Sequence, residues 1–230
     1  GELMLLRHGE DEAAVGGGQA IYWDQEKKIR YHESVFDSTV GATGAIYAIR
    51  RDLFDPIPAD TILDDVLVPM RVVRQGYRVI FEPEARAFDQ HSTSARQEFV
   101  RKVRTIAGNF QLFAREPWLM NPLRNRIWAQ TLSHKVLRLA LPVMFVASLA
   151  ANCWLLDAWF YRITLFGQVL MLALAALTSV VPSLRKKIPG VVLPYTICFL
   201  CFATIVGFLR YVTGRQSVTW DRSTPALDAR

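Results

Sequence analysis

Two adjacent carboxylates and a group of basic side chains are the residues of this sequence most suited to chemistry. Asp64 and Asp65 stand at the start of a segment with a helical pattern, where Asp65 could act as a general base toward a hydroxyl group. Arg101 and Arg104 stand about one helical turn apart in a later segment, a spacing at which two guanidinium groups can bind a diphosphate. Together, these groups could transfer a moiety from a nucleotide-activated donor, because the arginines would stabilise the departing pyrophosphate.

The same residues also have a structural interpretation. Acidic side chains are common in the first turn of a helix, where they interact favourably with the positive end of the helix dipole. Asp64 or Asp65 could therefore cap a helix, and the arginines could contact lipid headgroups. Both interpretations agree with the spacing.

The first 135 residues, which must position these groups, have the patterns of a mixed α/β domain. Apolar residues at helical spacing favour helices, and runs rich in β-branched and aromatic residues favour strands. The predicted helices are 19–35, 64–75 and 97–115, and the predicted strands are the end of 41–49, 77–81 and 85–88.

Three long segments without charged residues follow this domain. They contain 18, 19 and 22 residues, at positions 139–156, 163–181 and 188–209. A helix rises about 1.5 Å per residue and the hydrocarbon core of a bilayer is about 30 Å thick, so each segment can span a membrane. The sequence therefore predicts a multi-pass membrane protein with an α-helical transmembrane region.

Basic residues indicate the orientation of these segments. The Arg-Lys-Lys loop at 185–187 favours the cytoplasm, which places residues 1–135 on the same side because two spans lie between them. Three spans would put the C-terminus on the opposite side, whereas Arg210, Arg215 and Arg222 favour the cytoplasm there as well. Both placements of the C-terminus are kept open, as is a re-entrant or interfacial position for one apolar segment.

The distribution of charge favours membrane lipids as partners and argues against nucleic acid. The net charge is +6, yet residues 1–95 contain 10 Lys and Arg against 16 Asp and Glu. Residues 96–135 contain 8 against 2, and residues 136–230 contain 9 against 3, so the basic excess begins beside the apolar segments. Basic residues at that position pair with anionic headgroups.

The three cysteines all lie in apolar segments, where small polarisable side chains pack between helices.

Several motifs resemble those of the family 2 glycosyltransferases, in the order and spacing typical of that family. The chain is most similar to the back half of the membrane-bound synthases, which include cellulose, chitin, hyaluronan and poly-N-acetylglucosamine synthases. The resemblance extends over residues 19–135, and the apolar segments follow where the family has its membrane helices. The matching motifs are Gly41-Ala42-Thr43-Gly44 with the residues up to Arg51, then Asp64-Asp65, Gly76-Tyr77-Arg78-Val79 and Phe81-Glu82-Pro83-Glu84-Ala85.

This resemblance assigns roles to individual residues. Asp65 matches the catalytic base, which removes the proton of an acceptor hydroxyl as its oxygen attacks the anomeric carbon with inversion. Asp64 matches the acidic residue beside that base, which is usually Glu. Arg104 matches the arginine that contacts the donor diphosphate in the motif Gln-x-x-Arg-Trp. Arg101 occupies the position of its Gln.

Two glycines complete the set of site residues implied by the resemblance. Gly41 and Gly44 would line the acceptor pocket, where a residue without a side chain lets the backbone approach a sugar. Tight packing within the protein is the alternative reason for small residues at these positions.

The fold implied by the resemblance is α/β, the C-terminal part of a GT-A domain followed by an α-helical transmembrane region. The implied activity is transfer of a sugar from a nucleotide-sugar donor to a glycan or lipid-linked acceptor, at the cytoplasmic face of the cell (inner) membrane. Polysaccharide synthesis is one form of this activity. The expected organisation is a partial GT-A domain at 1–115, an interfacial amphipathic segment with Trp118 and Trp128 at 116–135, three transmembrane helices at 136–212 and a tail at 213–230.

Departures from the family pattern bear on activity. Thr105 stands where a Trp helps to hold the acceptor sugar, and Arg101 stands where Gln is usual. The Asp-x-Asp motif that holds Mg²⁺ or Mn²⁺ in the family is missing from the sequence, so the chain is expected to be truncated and inactive alone. One alternative is a non-processive transferase with a lipid acceptor, which Thr105 favours. Another, from a different class, is a non-catalytic membrane protein or a degenerate fragment.

Overall fold

The computed structural model describes residues 2–6, 13–90, 95–184, 188 and 190–219, and it is mostly helical. Two short strands, β1 (Glu2–Leu6) and β2 (Arg86–Gln90), pair in parallel in a two-stranded sheet. The basic loop at 185–187 and Arg222, on which the predicted orientation depends, lie outside the described residues.

Three helices in the first half of the chain confirm the helical patterns of the sequence. α1 extends over Ala13–Phe36, α2 over Asp64–Arg74 and α3 over Ala95–Arg115. α2 has acidic residues in its first turn and basic residues in its last, which complements the helix dipole. It ends before Gly76, whose φ of +93° is a conformation that glycine adopts readily.

The predicted strand at the end of 41–49 does not form. This segment follows a change of direction at Gly41, which has φ +93°, and consists of turns and irregular backbone. One bond across a turn joins the amide of Ile46 to the carbonyl of Thr43 at 3.1 Å. The prediction of a strand here was wrong because the segment packs against the start of α2 and not beside another strand.

The predicted strand at 77–81 is also irregular backbone. The amide of Val79 donates to the hydroxyl of Ser38 at 3.2 Å, and that of Phe81 donates to the hydroxyl of Ser34 at 2.9 Å. These serine hydroxyls accept the hydrogen bonds that the two amides would otherwise donate to a neighbouring strand. Of the predicted strands, only 85–88 forms, as β2. The GT-A identity of this region stays a prediction.

The core outside the apolar helices is built around α2. Met70 is completely buried on its inner face, and Leu112 of α3 packs against the same cluster. Trp118, in a 3₁₀ turn at Pro117–Met120, is only 7% exposed and belongs to this core. It therefore does not lie at the surface where a membrane anchor was expected. The other buried members are Val40, Ile62, Leu63, Val66, Leu67, Val73, Leu119 and Ile127.

The chain then enters the apolar helices through a continuous helical segment. A short helix, α4 (Trp128–Thr131), is followed by a π-helical turn at Leu132–Val136 and by α5 (Leu137–Trp154). α6 extends over Trp159–Val180 and α7 over Val192–Val212.

In the part of the chain that the structure describes, three helices are long and apolar enough to cross a membrane. They contain 27, 22 and 21 residues, the first comprising α4, the π-helical turn and α5. Large apolar side chains such as Val143 and Phe166 are 71% and 69% exposed on the protein. Exposure of so many large apolar groups agrees with a lipid environment. The protein is therefore membrane-associated, as the sequence predicts.

Polar groups join α5 to α6. The amide of Asn152 donates to Gln168 Oε1 at 2.8 Å, and the Thr164 hydroxyl donates to Asn152 Oδ1 at 3.0 Å. A cleft of about 590 Å³ beside them is lined by residues of these two helices only. Because the polar groups bond to one another, they link the two helices without exposing unsatisfied amides to lipid.

α7 packs alongside α3, and the two helices run in the same direction. Phe99 contacts Phe199 near the start of the pair, with ring centroids 5.6 Å apart. Phe110 contacts Phe208 near its end, at 5.1 Å. The segment after α7 continues beside α3 and carries Val218 into the core of the polar region. Residues 215–219 therefore lie on the same side of the protein as α2 and α3.

Candidate functional site

Asp64 and Asp65 occupy the first two positions of α2, and the N-cap position before them belongs to Leu63. Asp64 is exposed and Asp65 is half-buried. Among the described residues, no side chain or backbone group donates a hydrogen bond to the Asp65 carboxylate. Capping of the helix therefore does not occupy Asp65, and its carboxylate is available to a ligand.

The position of Asp65 is fixed through its backbone. Pro69 lies four residues further along α2 and has no N–H, so the carbonyl of Asp65 receives no helical hydrogen bond from it. That carbonyl instead accepts a hydrogen bond from the amide of Ala42 at 2.7 Å. Because of Pro69, the Asp65 carbonyl is left to accept the hydrogen bond from Ala42 that holds the glycine-containing loop against the aspartate.

Both predicted acceptor-site glycines lie against Asp65. A Cβ added to Gly44 would be 3.1 Å from Asp65 Oδ2. A Cβ added to Gly41 would be 3.2 Å from the Asp65 carbonyl oxygen, and the φ of +93° at this residue disfavours any side chain. The structure therefore brings together three residues that the sequence motifs selected, and the glycines are needed for this close approach.

The electrostatic environment of Asp65 combines burial with charges of both signs. Burial raises the pKa of its carboxyl above the ordinary value, and the neighbouring Asp64 raises it further. The positive charges of Lys135, Arg30 and Arg104 act in the opposite direction and only partly offset these effects. A carboxylate whose pKa is raised toward neutrality accepts a proton more readily, which suits a general base.

Tyr47 lies beside the two aspartates at the end of the glycine-containing loop. Burial raises the pKa of its phenol, and the negative charges of Asp64 and Asp65 raise it further. Its side chain is 40% exposed, so the ring borders the site and remains open to a ligand. Aromatic rings in such positions provide an apolar face.

Arg104 reaches toward this site from α3. Its Nη2 donates to the carbonyl of Val218 at 2.8 Å and to that of Ile62 at 3.4 Å. Burial lowers the pKa of the guanidinium, while the charges of Asp64 and Asp65 raise it. Arg104 thus lies near the aspartates, and it is bound to the segment that follows the last apolar helix.

Arg101 lies one turn earlier on α3 and is half-buried. Its backbone carbonyl accepts a hydrogen bond from the Thr105 hydroxyl at 3.1 Å. Of the two arginines predicted to bind a diphosphate, Arg104 contributes a positive charge that acts on Asp65. The structure therefore brings Arg104 to the aspartates and leaves the role of Arg101 a prediction.

A buried charged cluster next to this site was not identified in the sequence. His134, in the π-helical turn, is held between two glutamates of α1: its Nδ1 is 2.8 Å from Glu33 Oε1 and its Nε2 is 2.9 Å from Glu26 Oε1. All three side chains are buried. Burial opposes ionisation of Glu26, but its bond to His134 and the nearby cations hold its pKa well below the usual range.

Arg30 connects this cluster to the glycine-containing loop. Its Nε donates to Glu26 Oε1 at 3.2 Å, and its Nη1 donates to the hydroxyl of Thr43 at 3.0 Å. Thr43 is followed directly by Gly44, where an added Cβ would lie 3.1 Å from Asp65 Oδ2. These bonds connect the π-helical turn, through Arg30 and Thr43, to the loop that packs beside the predicted base.

The sequence contains one signal for this cluster. Glu26, Arg30 and Glu33 are spaced by four and three residues, which places them on one face of a helix. His134 and Lys135 lie at the boundary between the polar region and the apolar α5. Nothing in the spacing indicates that the two sets meet, because more than 100 residues separate them.

Metal ligands are not clustered in the described part of the chain. No group of three His, Cys, Asp or Glu side chains there could hold a metal ion. The Mg²⁺ or Mn²⁺ expected from the resemblance stays a prediction.

Comparisons with known proteins leave the family open. No protein-family model matches this chain, and neither a curated protein nor a solved structure matches it.

Proposed function

We propose that this chain forms the acceptor side of an inverting glycosyltransferase that works at a membrane surface. The observation that carries the proposal is the half-buried Asp65 carboxylate, free of hydrogen bonds from described residues and approached closely by Gly44. The site combines an available base, a backbone surface without side chains and a nearby guanidinium, which are the groups that glycosyl transfer requires.

In the proposed reaction, a hydroxyl of the acceptor glycan binds next to Asp65. Asp65 takes the proton of that hydroxyl as its oxygen forms a bond to the anomeric carbon of the donor sugar. The bond between that carbon and the donor diphosphate breaks from the opposite face, so the configuration is inverted. The nucleoside diphosphate leaves with the electron pair, and Arg104 stabilises its negative charge.

Asp65 is a better candidate for the base than Asp64. Asp64 is exposed to solvent, whereas Asp65 is half-buried and its pKa is raised by that burial. The negative charge of the exposed Asp64 raises the pKa of Asp65 further.

This proposal assigns metal binding, and the donor contacts other than that of Arg104, to residues outside the described part of this chain. The described side chains provide no fitting metal site, and the reaction outlined above is not routed through a metal. A metal held elsewhere would neutralise the donor diphosphate. The proposal therefore predicts no turnover by the isolated chain.

A non-processive transferase with a lipid-linked acceptor is the second candidate. Thr105 lies where an aromatic platform for a growing glycan would be expected, and its hydroxyl bonds back to its own helix at 3.1 Å. Product length separates the two activities, because a processive enzyme makes long chains and a non-processive one adds a single sugar.

The test uses the full-length protein in native membranes, supplied with a panel of radiolabelled nucleotide-sugars, with products separated by size. Asp65→Asn is expected to abolish transfer because an amide cannot accept the proton. Asp64→Asn, a matched change one residue away, is expected to retain a substantial fraction of the activity. Both variants should insert into membranes normally.

Two outcomes would contradict the proposal. Near-normal transfer by Asp65→Asn would exclude this residue as the base. Absence of transfer from every donor, with a folded full-length protein, would favour the non-catalytic alternative.

A further inference from the structure

We propose that Arg30 is a positioning residue for the acceptor side of this site. Its hydrogen bond to Thr43 holds the glycine-containing loop, residues 41–47, in the position from which an acceptor sugar can reach Asp65. This inference rests on the proposed function, in which the loop lies beside the base. Arg30 acts through Thr43 and is assigned no contact with the substrate.

The loop is held at two successive residues by two different helices. The amide of Ala42 donates to the carbonyl of Asp65 at 2.7 Å, which attaches the loop to α2. Arg30 Nη1 donates to Thr43 Oγ1 at 3.0 Å, which attaches the next residue to α1. Gly44 follows directly, and a Cβ added there would lie 3.1 Å from Asp65 Oδ2. The bond from Arg30 therefore fixes the residue between the backbone attachment and the closest approach to the base.

The guanidinium of Arg30 is itself held in one orientation. Its Nε donates to Glu26 Oε1 at 3.2 Å, one helical turn earlier on α1, and the two side chains are only 14% and 6% exposed. A guanidinium presents its donors in a fixed plane, so the bond to Glu26 also sets the direction of Nη1. Thr43 is 8% exposed, and burial strengthens a hydrogen bond from a charged donor.

Glu26 is fixed in turn by the segment that leads into α5. His134 Nε2 is 2.9 Å from Glu26 Oε1, and both terminal nitrogens of Arg138 donate to Glu26 Oε2 at 3.3 Å. The position of the loop is therefore tied through Arg30 to the helical segment that enters the apolar region. This attachment is separate from the one that the Ala42 amide makes to α2.

Lys28 provides a matched control on the same helix. It lies two residues before Arg30, and its Nζ pairs with Asp24 Oδ2 at 2.7 Å, again one turn earlier. These two side chains are 69% and 63% exposed, so the pair lies at the surface of α1. Lys28→Gln therefore breaks an ion pair of the same spacing without removing the bond to Thr43.

The experiment compares three changes at the proposed bond in the full-length protein in membranes. Arg30→Lys keeps the positive charge and can still pair with Glu26, but it lacks the planar set of donors that reaches both partners. Thr43→Val removes the hydroxyl with little change of shape, and Thr43→Ser retains the hydroxyl. Because none of these changes alters the net charge, the positive charge near Asp65 is preserved.

The first readout is hydrogen exchange, which needs no turnover. Mass spectrometry of loop peptides follows the amides of Ala42 and Ile46, which donate to the carbonyls of Asp65 and Thr43. Loss of one attachment makes local opening easier, so protection of these amides should fall about 10-fold in Arg30→Lys and Thr43→Val. Thr43→Ser and Lys28→Gln should keep wild-type protection. Thermal unfolding in detergent shows that each variant is folded.

The second readout is the steady-state kinetics of sugar transfer. In Arg30→Lys and Thr43→Val, kcat/KM for the acceptor should fall about 10- to 100-fold because the loop is misplaced. KM for the donor should stay near the wild-type value, and Thr43→Ser should restore the acceptor value. The double variant Arg30→Lys/Thr43→Val should be no worse than either single variant, because both changes break the same bond.

The outcomes separate this inference from the proposed function. Wild-type loop protection in folded Thr43→Val would overturn the inference even if transfer is confirmed, and this comparison with Thr43→Ser decides the matter if Arg30→Lys does not fold. Additive losses in the double variant, or an equal loss in Lys28→Gln, would overturn it as well. A wild-type protein that transfers no sugar contradicts the proposed function, whereas loop protection still decides whether Arg30 holds the loop.

Discussion

Gly108 lies in α3 and packs against the residues just before α2. Its replacement by alanine tests how closely these two helices are packed at the site. A Cβ at this position would lie 2.6 Å from Leu63 Cγ and 2.8 Å from Ile62 Cγ2. Both side chains are buried, at 6% and 5% exposure, and Leu63 directly precedes the two aspartates. The added methyl group therefore pushes α2 away from the helix that carries Arg104.

The size of the effect follows from these distances. Relief of the contact from 2.6 Å to the 3.4 Å of an ordinary contact requires a movement of 0.8 Å. Overpacking of this kind costs about 1–3 kcal/mol. The gain from replacing a helical glycine by alanine, about 0.5–1 kcal/mol, offsets only part of this. Misplacement of reacting groups by about 1 Å can cost about 100-fold in rate.

Gly167→Ala is the matched control, because an added Cβ there meets nothing within 4 Å on α6. The difference in unfolding free energy between the two variants cancels the helix preference and leaves the overpacking cost of about 1–3 kcal/mol. For about 2 kcal/mol, the Tm of Gly108→Ala in detergent should be about 4–8 °C below that of the control. The rate of sugar transfer should fall by a larger proportion than the free energy of unfolding does.

Equal Tm values for Gly108→Ala and Gly167→Ala would refute the reasoning about close packing. A lowered Tm with unchanged transfer would show instead that α2 and α3 pack closely but that their separation does not control the site.

Three further predictions concern other parts of the same site. Pro69→Ala restores an N–H that competes for the Asp65 carbonyl, so transfer should fall while thermal stability does not; unchanged transfer would exclude this role for the proline. Arg104→Ala should raise KM for the donor more than for the acceptor, and equal effects on both would argue against a diphosphate contact. Glu26 has a pKa below its ordinary 4.5, so its stabilising contribution is complete above pH 4.5 and is lost as pH falls below that value. Glu26→Gln should therefore be less stable at pH 7 and lose less stability on acidification, as measured by thermal unfolding from pH 7 to 3.

The helices were predictable from the sequence because their signals are local. Apolar periodicity and the glycine at position 76 bounded α2 closely, and the long uncharged runs indicated the three apolar helices. The irregular backbone at 77–81, where the sequence predicts a strand, was not predictable, because its amides bond to the hydroxyls of Ser34 and Ser38, which lie more than 40 residues earlier. Side-chain hydroxyls at that distance leave no periodic signal.

Part of the candidate site was predictable from the sequence because local motifs selected its residues. Gly41, Gly44 and Asp65 were selected as motifs, and the structure places them in contact. The buried charged cluster around His134 was missed because the contacts of His134 with Glu26 and Glu33 span 108 and 101 residues. Burial of a histidine between two glutamates depends on the packing of α1 against the start of α5, which no local pattern encodes.

The pairing of α3 with α7 has a consequence for the order in which the protein is made. Phe99 and Phe110 emerge from the ribosome well before Phe199 and Phe208, the rings that cover them. Between the end of α3 at Arg115 and the end of α7 at Val212, synthesis at about 5–20 residues per second takes about 5–20 s. During that interval the apolar face of α3 has no α7 to cover it, so insertion of the later helices must precede final assembly of the segment that carries Arg104.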